Sequence, residues 1–222
     1  MTASHVFDQR DEFRLTLPYL ELDVSSLVAI RTDPRGFDVT ALLLPRSTAV
    51  DESKVRVVET EDLDVDDRGE RRFIYCFAGF PHSKNKSRPG GRYNPRLFVH
   101  STRSAIDSSY TTLKRDPRTF LALSFARERT VDRSFSATMF PEPSGMSGGP
   151  VWRLGSGDDI LGGRAQEKLV AIAIECHARA CVVLTTRVSV LIHILRSEVP
   201  ELRSVLPRPS FLTGRVRVTS GA

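Results

Sequence analysis

The stretch that most limits what this chain can fold into is Pro143-Ser144-Gly145-Met146-Ser147-Gly148-Gly149-Pro150-Val151-Trp152. Proline at both ends bars a regular helix through it, because proline has no N–H to donate and clashes with the preceding turn. The glycines between them open backbone angles closed to other residues and leave no side chain to crowd an approaching group. A turn of this kind can aim several backbone N–H groups at one point, as a developing oxyanion requires. Ser147 is therefore a candidate nucleophile, provided the rest of the chain supplies a base and an acid.

Around this turn the apolar residues come in short runs of strand length. They lie within Phe13–Ile30, Phe37–Leu44, Val55–Val58, Arg72–Phe80, Arg96–Ser101, Thr119–Phe125, Ser134–Phe140, Pro150–Leu154, Leu169–Cys176 and Cys181–Thr186. Asp33-Pro34-Arg35-Gly36 reads as a turn. Residues 1–8 read as the end of a strand. Residues 101–118 show no pattern, and Gly155–Lys168 reads as a charged, glycine-rich loop. Val188, Leu191, Ile192 and Leu195 recur at helical spacing, so one helix closes the set. Residues 206–222, with Pro207, Pro209 and alternating Arg215 and Arg217, read as a loosely held tail. About ten short strands with one late helix predict an all-β barrel or sandwich rather than alternating βαβ units.

Composition removes several function classes. No apolar run reaches the length of about eighteen residues that a membrane-spanning helix needs. Asp8, Arg10, Asp11 and Glu12 stand where a secretion signal would be apolar, so the expected location is the cytoplasm, without membrane partners. The net charge is +5, yet no zinc-finger spacing, basic heptad helix or aromatic RNA-binding signature accompanies it, so no nucleic-acid partner is expected. Charge is uneven: residues 51–70 hold nine acids against three bases, whereas His82–Arg96 holds Lys84, Lys86, Arg88, Arg92 and Arg96 with no acid. Both stretches read as solvated loops. Cys76, Cys176 and Cys181 make no disulfide framework in a chain of 222 residues and are too few for a metal site with His177, so no metal or cofactor is expected.

A serine hydroxyl needs a base, and histidine titrates near neutral pH. The candidates are His5, His82, His100, His177 and His193. Gly145-Met146-Ser147-Gly148-Gly149 formally fits the nucleophile elbow of α/β-hydrolases, with Asp158 or Asp159 and His177 following in order. That elbow needs a buried strand before the serine and a helix directly after it. Phe140-Pro141-Glu142-Pro143 and Gly149-Pro150 provide neither. The other order is His, Asp, Ser, with His5 in Thr2-Ala3-Ser4-His5-Val6 and Asp38 at the mouth of an apolar strand. Asp23 is the rival acid, 18 positions from His5.

In that order the segments carry a family resemblance. Gly145-Met146-Ser147-Gly148-Gly149-Pro150-Val151 resembles the Gly-x-Ser-Gly-Gly-Pro signature of trypsin-like, chymotrypsin-fold serine peptidases. Thr2-Ala3-Ser4-His5-Val6 is similar to that family's Thr-Ala-Ala-His motif, and Asp38-Val39-Thr40-Ala41-Leu42-Leu43 to its Asp-Ile-Ala-Leu-Leu strand. Leu184-Thr185-Thr186-Arg187-Val188-Ser189 resembles its closing Thr-Arg-Val-Ser before a terminal helix. Gly79-Phe80-Pro81-His82-Ser83-Lys84 is more weakly similar to stand-alone bacterial members.

The resemblance implies two six-stranded antiparallel β-barrels with the site between them: a first barrel over residues 1–100 carrying His5 and Asp38, and a second over 101–205 carrying Ser147 and a C-terminal helix. It implies that Ser147 attacks a peptide carbonyl, that His5 relays the proton, that Asp38 orients His5, and that the Gly145 and Ser147 N–H groups form the oxyanion hole. The substrate would be a protein or peptide. Phe140, Pro141 and Glu142 would line the specificity pocket, and Ile172, Ala173, Ile174 and Glu175 the substrate strand. Glu142 and Glu175 would favour a basic residue.

Three departures accompany the likeness. The family has two or more strands before its histidine motif and this chain has four residues, so the first barrel is expected to be incomplete, with the start of the protein upstream of Met1. Met146 replaces the aspartate that captures a newly cut N-terminus in secreted relatives, so activation by cleavage is not expected. No aspartate stands in the loop before Ser147. A catalytically impaired relative that binds peptides without cutting them is the alternative reading.

Overall fold

The computed structural model describes residues 1–8, 16–17, 20–21, 27–33, 36–45, 48, 57–85, 96–131, 134, 136–210 and 218–219. In chain order its elements begin with helix α1 (Ser4–Asp8) and strands β1 (Thr16–Leu17), β2 (Leu20–Glu21), β3 (Val28–Thr32) and β4 (Thr40–Leu43). Next come β5 (Phe73–Gly79), β6 (Phe98–Thr102), α2 (Asp107–Leu113), β7 (Phe120–Ser124), β8 (Thr130–Val131) and β9 (Ala137–Thr138). The remainder is β10 (Pro150–Ser156), α3 (Gly157–Leu161), β11 (Lys168–His177), β12 (Val182–Arg187), α4 (Val188–Glu198) and β13 (Val218–Thr219). The chain is thus mostly β, as its short apolar runs predict.

Six strands make one antiparallel sheet in the order β6-β5-β10-β11-β12-β7. It curls into a half-barrel, and just past β6 the chain touches the opposite edge. There the Ala105 N–H donates to the Ala122 carbonyl at 2.8 Å and the Ser124 N–H to the Arg103 carbonyl at 3.0 Å. Curling puts one face inside, where Tyr75, Phe77, Leu123, Phe140, Val151 and Val183 pack together. β11 buries six consecutive residues, Leu169–Ile174. An unbroken apolar run of that kind suits a strand covered on both faces.

The cover on the second face is α4. Its Val188 and Ile192 meet Leu169 and Val65, and its Val190, Leu191 and Ile194 meet Ile30, Val39 and Ala41 of a small three-stranded sheet ordered β13-β3-β4. Each fully buried aliphatic side chain here contributes about 1.5–3 kcal/mol relative to an exposed one. The helix therefore joins the two sheets.

Several expectations are corrected. β5 and β6 were assigned by position to a first barrel over residues 1–100, but they pair within the large sheet: Val151 of β10 faces Phe77, and Phe77 faces His100. The large sheet therefore begins at Phe73, and a boundary at 100 would cut through β6. Among the described residues the N-terminal part contributes to the sheets only the paired β1 and β2 and the strands β3 and β4.

The stretch read as a loosely held tail is attached. Val218 pairs with Thr32 and Thr219 with Arg31, and Ser210 donates through both its N–H and its Oγ to Asp66. In the segment read as a loop, β10 runs on to Ser156, which caps α3 reciprocally with Asp159. Of the strand expected over Val55–Val58, residues 55 and 56 lie outside the described residues and Val57 and Val58 are not in a strand; most of the basic loop after Lys84 also lies outside them.

The acidic stretch is not simply a solvated loop. Asp67 is buried and accepts from Tyr75 Oη at 3.1 Å, while Arg187 Nη1 lies 3.0 Å from its carboxylate. Arg153 Nη1 reaches Asp64 at 2.6 Å and Asp67 at 3.3 Å. These acids are internal partners for arginines of β10 and β12. Removing one member of a buried pair leaves an uncompensated charge, so the network ties this segment to the sheet.

Candidate active site

The turn at 143–150 is shaped by two close approaches. A Cβ on Gly149 would stand 2.1 Å from the Ala78 carbonyl oxygen. Gly148 has φ +88°, and a Cβ there would stand 2.6 Å from Thr2 Oγ1 and 3.3 Å from the Ala3 nitrogen. Only glycine fits either position, and the second packs the serine turn against the segment that leads into His5. The Met146 N–H donates to the Pro143 carbonyl at 2.8 Å and the Gly148 N–H to the Ala173 carbonyl at 2.8 Å. Among the described residues, the Gly145 and Ser147 N–H groups have no hydrogen-bond acceptor. Two uncommitted donors in one tight turn are what an oxyanion would use.

Directly after this turn comes strand β10, with no helix behind Ser147. The Asp159 carboxylate accepts from Ser156 and belongs to the cap of α3. The nucleophile-elbow arrangement is therefore absent.

His5 and Asp38 are brought together. Thr2 and Thr40 exchange backbone bonds at 3.0 and 2.8 Å, and the Ser4 N–H donates to the Asp38 carbonyl at 3.1 Å. Ser4 Oγ and Thr40 Oγ1 lie 2.9 Å apart, both buried. This lays residues 2–5 along residues 38–40 before α1 begins. His5 Nδ1 then lies 2.5 Å from Asp38 Oδ2, and the His5 N–H donates to Oδ1 at 2.9 Å. An Nδ1–H donor to the carboxylate leaves Nε2 as the acceptor, the state a general base needs.

The Asp38 side chain is only 3% exposed and that of His5 41%, so the acid is sheltered and the imidazole is open to solvent. Asp38 adopts φ 51°, a left-handed conformation that aspartate tolerates better than most residues. Thr186 of β12 donates its hydroxyl to the Phe37 carbonyl, which ties the loop before Asp38 to the large sheet. The rival Asp23 lies outside the described residues.

Ser147 reaches this neighbourhood through β11. Between Ala173 and Glu175 the register with β12 shifts by one residue, so Ile174 has no partner across the ladder. Its carbonyl accepts instead from Ser147 Oγ at 3.0 Å. Ile174 packs with Ala3, and Val6 and Phe37 lie against the same cluster, so the serine turn, the His5 helix and the Asp38 loop share one packed junction.

Two of the other histidines have partners of their own, whereas His82 lies beside the serine turn, its backbone N–H donating to the Ser144 carbonyl at 2.8 Å. His100 stacks among Phe77, Phe125 and Phe140, and burial pushes its pKa below the usual imidazole range. His177 Nε2 lies 3.0 Å from Glu175 Oε2.

A cavity of about 20 Å³ opens beside Ser147. Its walls include Ala173, Ile174 and Glu175 of the expected substrate strand, but also Phe77, Met146 and Val183. Three expected lining residues are placed differently. Phe140 is a core residue among aromatic rings, Pro141 is buried, and Glu142 is exposed and off the cavity wall. Ile172 is buried and paired with Pro150 rather than on the cavity.

Phe77 and Val183 were not identifiable as pocket residues, because an apolar residue in a strand looks the same whether it faces a core or a cavity. Cys176 also lines the cavity. All three cysteines are free thiols.

Among the described residues no cluster of three His, Cys, Asp or Glu side chains could hold a metal ion, and no helix is long and apolar enough to cross a membrane. No known family model matches this chain, and no curated protein matches it.

Proposed function

We propose that the chain is a serine endopeptidase of the chymotrypsin-fold type, acting through Ser147, His5 and Asp38. The observation that carries the reading is the His5–Asp38 couple, 2.5 Å apart, packed through Thr2–Ala3 against a turn with two unused backbone donors. Ser147 Oγ attacks the substrate carbonyl while His5 Nε2 takes its proton. Asp38 stabilises the imidazolium that results. The Gly145 and Ser147 N–H groups receive the oxyanion, and losing one such donor costs about 10²–10³-fold in rate. Collapse breaks the C–N bond as His5 returns the proton to the leaving amine. Water then hydrolyses the acyl-enzyme by the same relay.

One observation favours a second reading. The Ser147 hydroxyl is engaged by the Ile174 carbonyl rather than by His5. Attack requires that hydroxyl to rotate towards Nε2, and catalytic hydrogen bonds commonly tighten only with substrate bound. A chain unable to make that rotation would bind peptides in the cleft without cutting them.

Labelling with a fluorophosphonate separates the two. We expect one phosphonyl group per chain, absent in Ser147→Ala and at least about 100-fold slower in His5→Ala. Labelling that persists in Ser147→Ala refutes the nucleophile, and a folded protein that never labels is the peptide-binding module.

A further inference from the structure

We infer that this site selects a small, uncharged side chain, of alanine or serine size, on the residue whose carbonyl is attacked. The inference rests on the acyl-transfer reading and names the substrate class for it. A substrate carbonyl presented to Ser147 Oγ places its own side chain next to the cavity that Ser147 borders. Below its mouth, which opens to solvent, the cavity leaves about 20 Å³, little more than the roughly 10–15 Å³ that admits a single water-sized group. A methyl or hydroxymethyl group fits this space. A phenyl ring or a guanidinium on its stem would be left largely in the open mouth, without burial.

The walls resist widening. Phe77 is 1% exposed, Met146 3%, Ala173 4% and Val183 3%, so each is packed into the core of the large sheet. Met146 has no slack towards β5, because a Cβ on Gly79 would already lie 3.0 Å from its own Cβ. Admitting a larger side chain would force core residues out of their rotamers.

Charge gives the same answer. Glu175 is the carboxylate on the cavity wall, and it is engaged by His177 Nε2 at 3.0 Å and faced by Arg115 at 4.0 Å. A lysine or arginine entering there would lose water and have to share that carboxylate with Arg115 and His177. The basic preference expected from Glu142 and Glu175 is therefore replaced by one for small neutral residues.

The test uses the full chain and peptidyl diphenyl phosphonates of one common peptide sequence, ending in the analogue of alanine, leucine, phenylalanine or arginine. A small alkyl fluorophosphonate serves as the reagent without a side chain. We expect the alanine analogue to inactivate fastest, with the phenylalanine and arginine analogues at least about 100-fold slower, since single methylenes already discriminate by about 10–200-fold. Val183→Ala, which removes two wall methyl groups, should raise the leucine-to-alanine rate ratio about tenfold.

If the fluorophosphonate labels Ser147 but the arginine or phenylalanine analogue is as fast as the alanine one, or the alanine analogue does not react, the pocket inference is overturned and the nucleophile stands. If the fluorophosphonate also fails on folded protein, both fall together.

Discussion

Asp38→Asn is the most incisive single change. The aspartate takes two bonds from His5, at 2.9 Å through Oδ1 and 2.5 Å through Oδ2, and its side chain is 3% exposed. Asparagine has the same shape and also tolerates the left-handed backbone at this position, so the loop keeps its conformation. Its amide has only one oxygen. If that oxygen keeps the bond from the His5 N–H, the NH₂ group faces Nδ1 and donates to it. The imidazole proton then moves to Nε2, where the proposed mechanism requires the serine proton to arrive.

The lost charge adds to this. A carboxylate about 4 Å from the developing imidazolium contributes about 4 kcal/mol at an effective dielectric of about 20. That corresponds to about 10³-fold in rate, at 1.36 kcal/mol per decade. Solvent at the imidazole, which is 41% exposed, reduces the charge effect, and the wrong tautomer restores the loss. The expected outcome is a fall of about 10³–10⁴-fold in kcat/KM on an alanine-terminated chromogenic peptide at neutral pH, with Tm within a few degrees of the parent. A loss below tenfold in a folded variant would refute Asp38 as the orienting acid.

Two further outcomes follow from the structure. Gly148→Ala places a Cβ at φ +88° and 2.6 Å from Thr2 Oγ1, so it should lower stability by about 1–3 kcal/mol in urea unfolding and slow fluorophosphonate labelling about 10–100-fold. The Tyr75 hydroxyl is pushed well above its ordinary value of 10.0, first by burial and then by the neighbouring Asp67 carboxylate. Because the folded-state value is raised, the folded chain holds this proton after the unfolded chain has released it. Stability from Tyr75 is therefore complete below about pH 10 and lost as pH rises beyond it, with a slope of up to about 1.4 kcal/mol per pH unit. Urea unfolding between pH 9 and pH 11 should show that decline, and Tyr75→Phe should flatten it.

What the sequence disclosed and what it hid follow a physical rule. β7, β11, β12 and α4 were legible because each is a local apolar pattern of the right period, such as the run Leu169–Ile174. The proximity of His5 to Asp38 came only from motif likeness, since no periodicity reports contact across 33 residues. The assignment of β5 and β6 to the large sheet was hidden because strand pairing is set by register and not by position. The buried role of Asp64 and Asp67 was masked by composition: a run of acids reads as solvated, and only the arginines at 153 and 187 reveal which of them turn inward. The cavity walls were concealed for the reason given for Phe77 and Val183, and Cys176 lies on the last exposed stretch of β11 with no local signal at all.

The small sheet that supports Asp38 is assembled from both ends of the chain. Ile30, Val39 and Ala41 are covered by Val190, Leu191 and Ile194, and β3 is edged by Val218–Thr219. On a translating ribosome the covering helix emerges roughly 150 residues after Ala41, which at about 5–20 residues per second is a delay of roughly 7–30 seconds. During that interval neither half of the candidate site has its final support, because β11 and β12 are completed only just before the helix. The two halves of the proposed site therefore gain that support only once the residues from Val188 onward have emerged. A nascent or prematurely terminated chain that stops before Val188 carries His5, Asp38 and Ser147 and yet lacks the helix that holds their two sheets together.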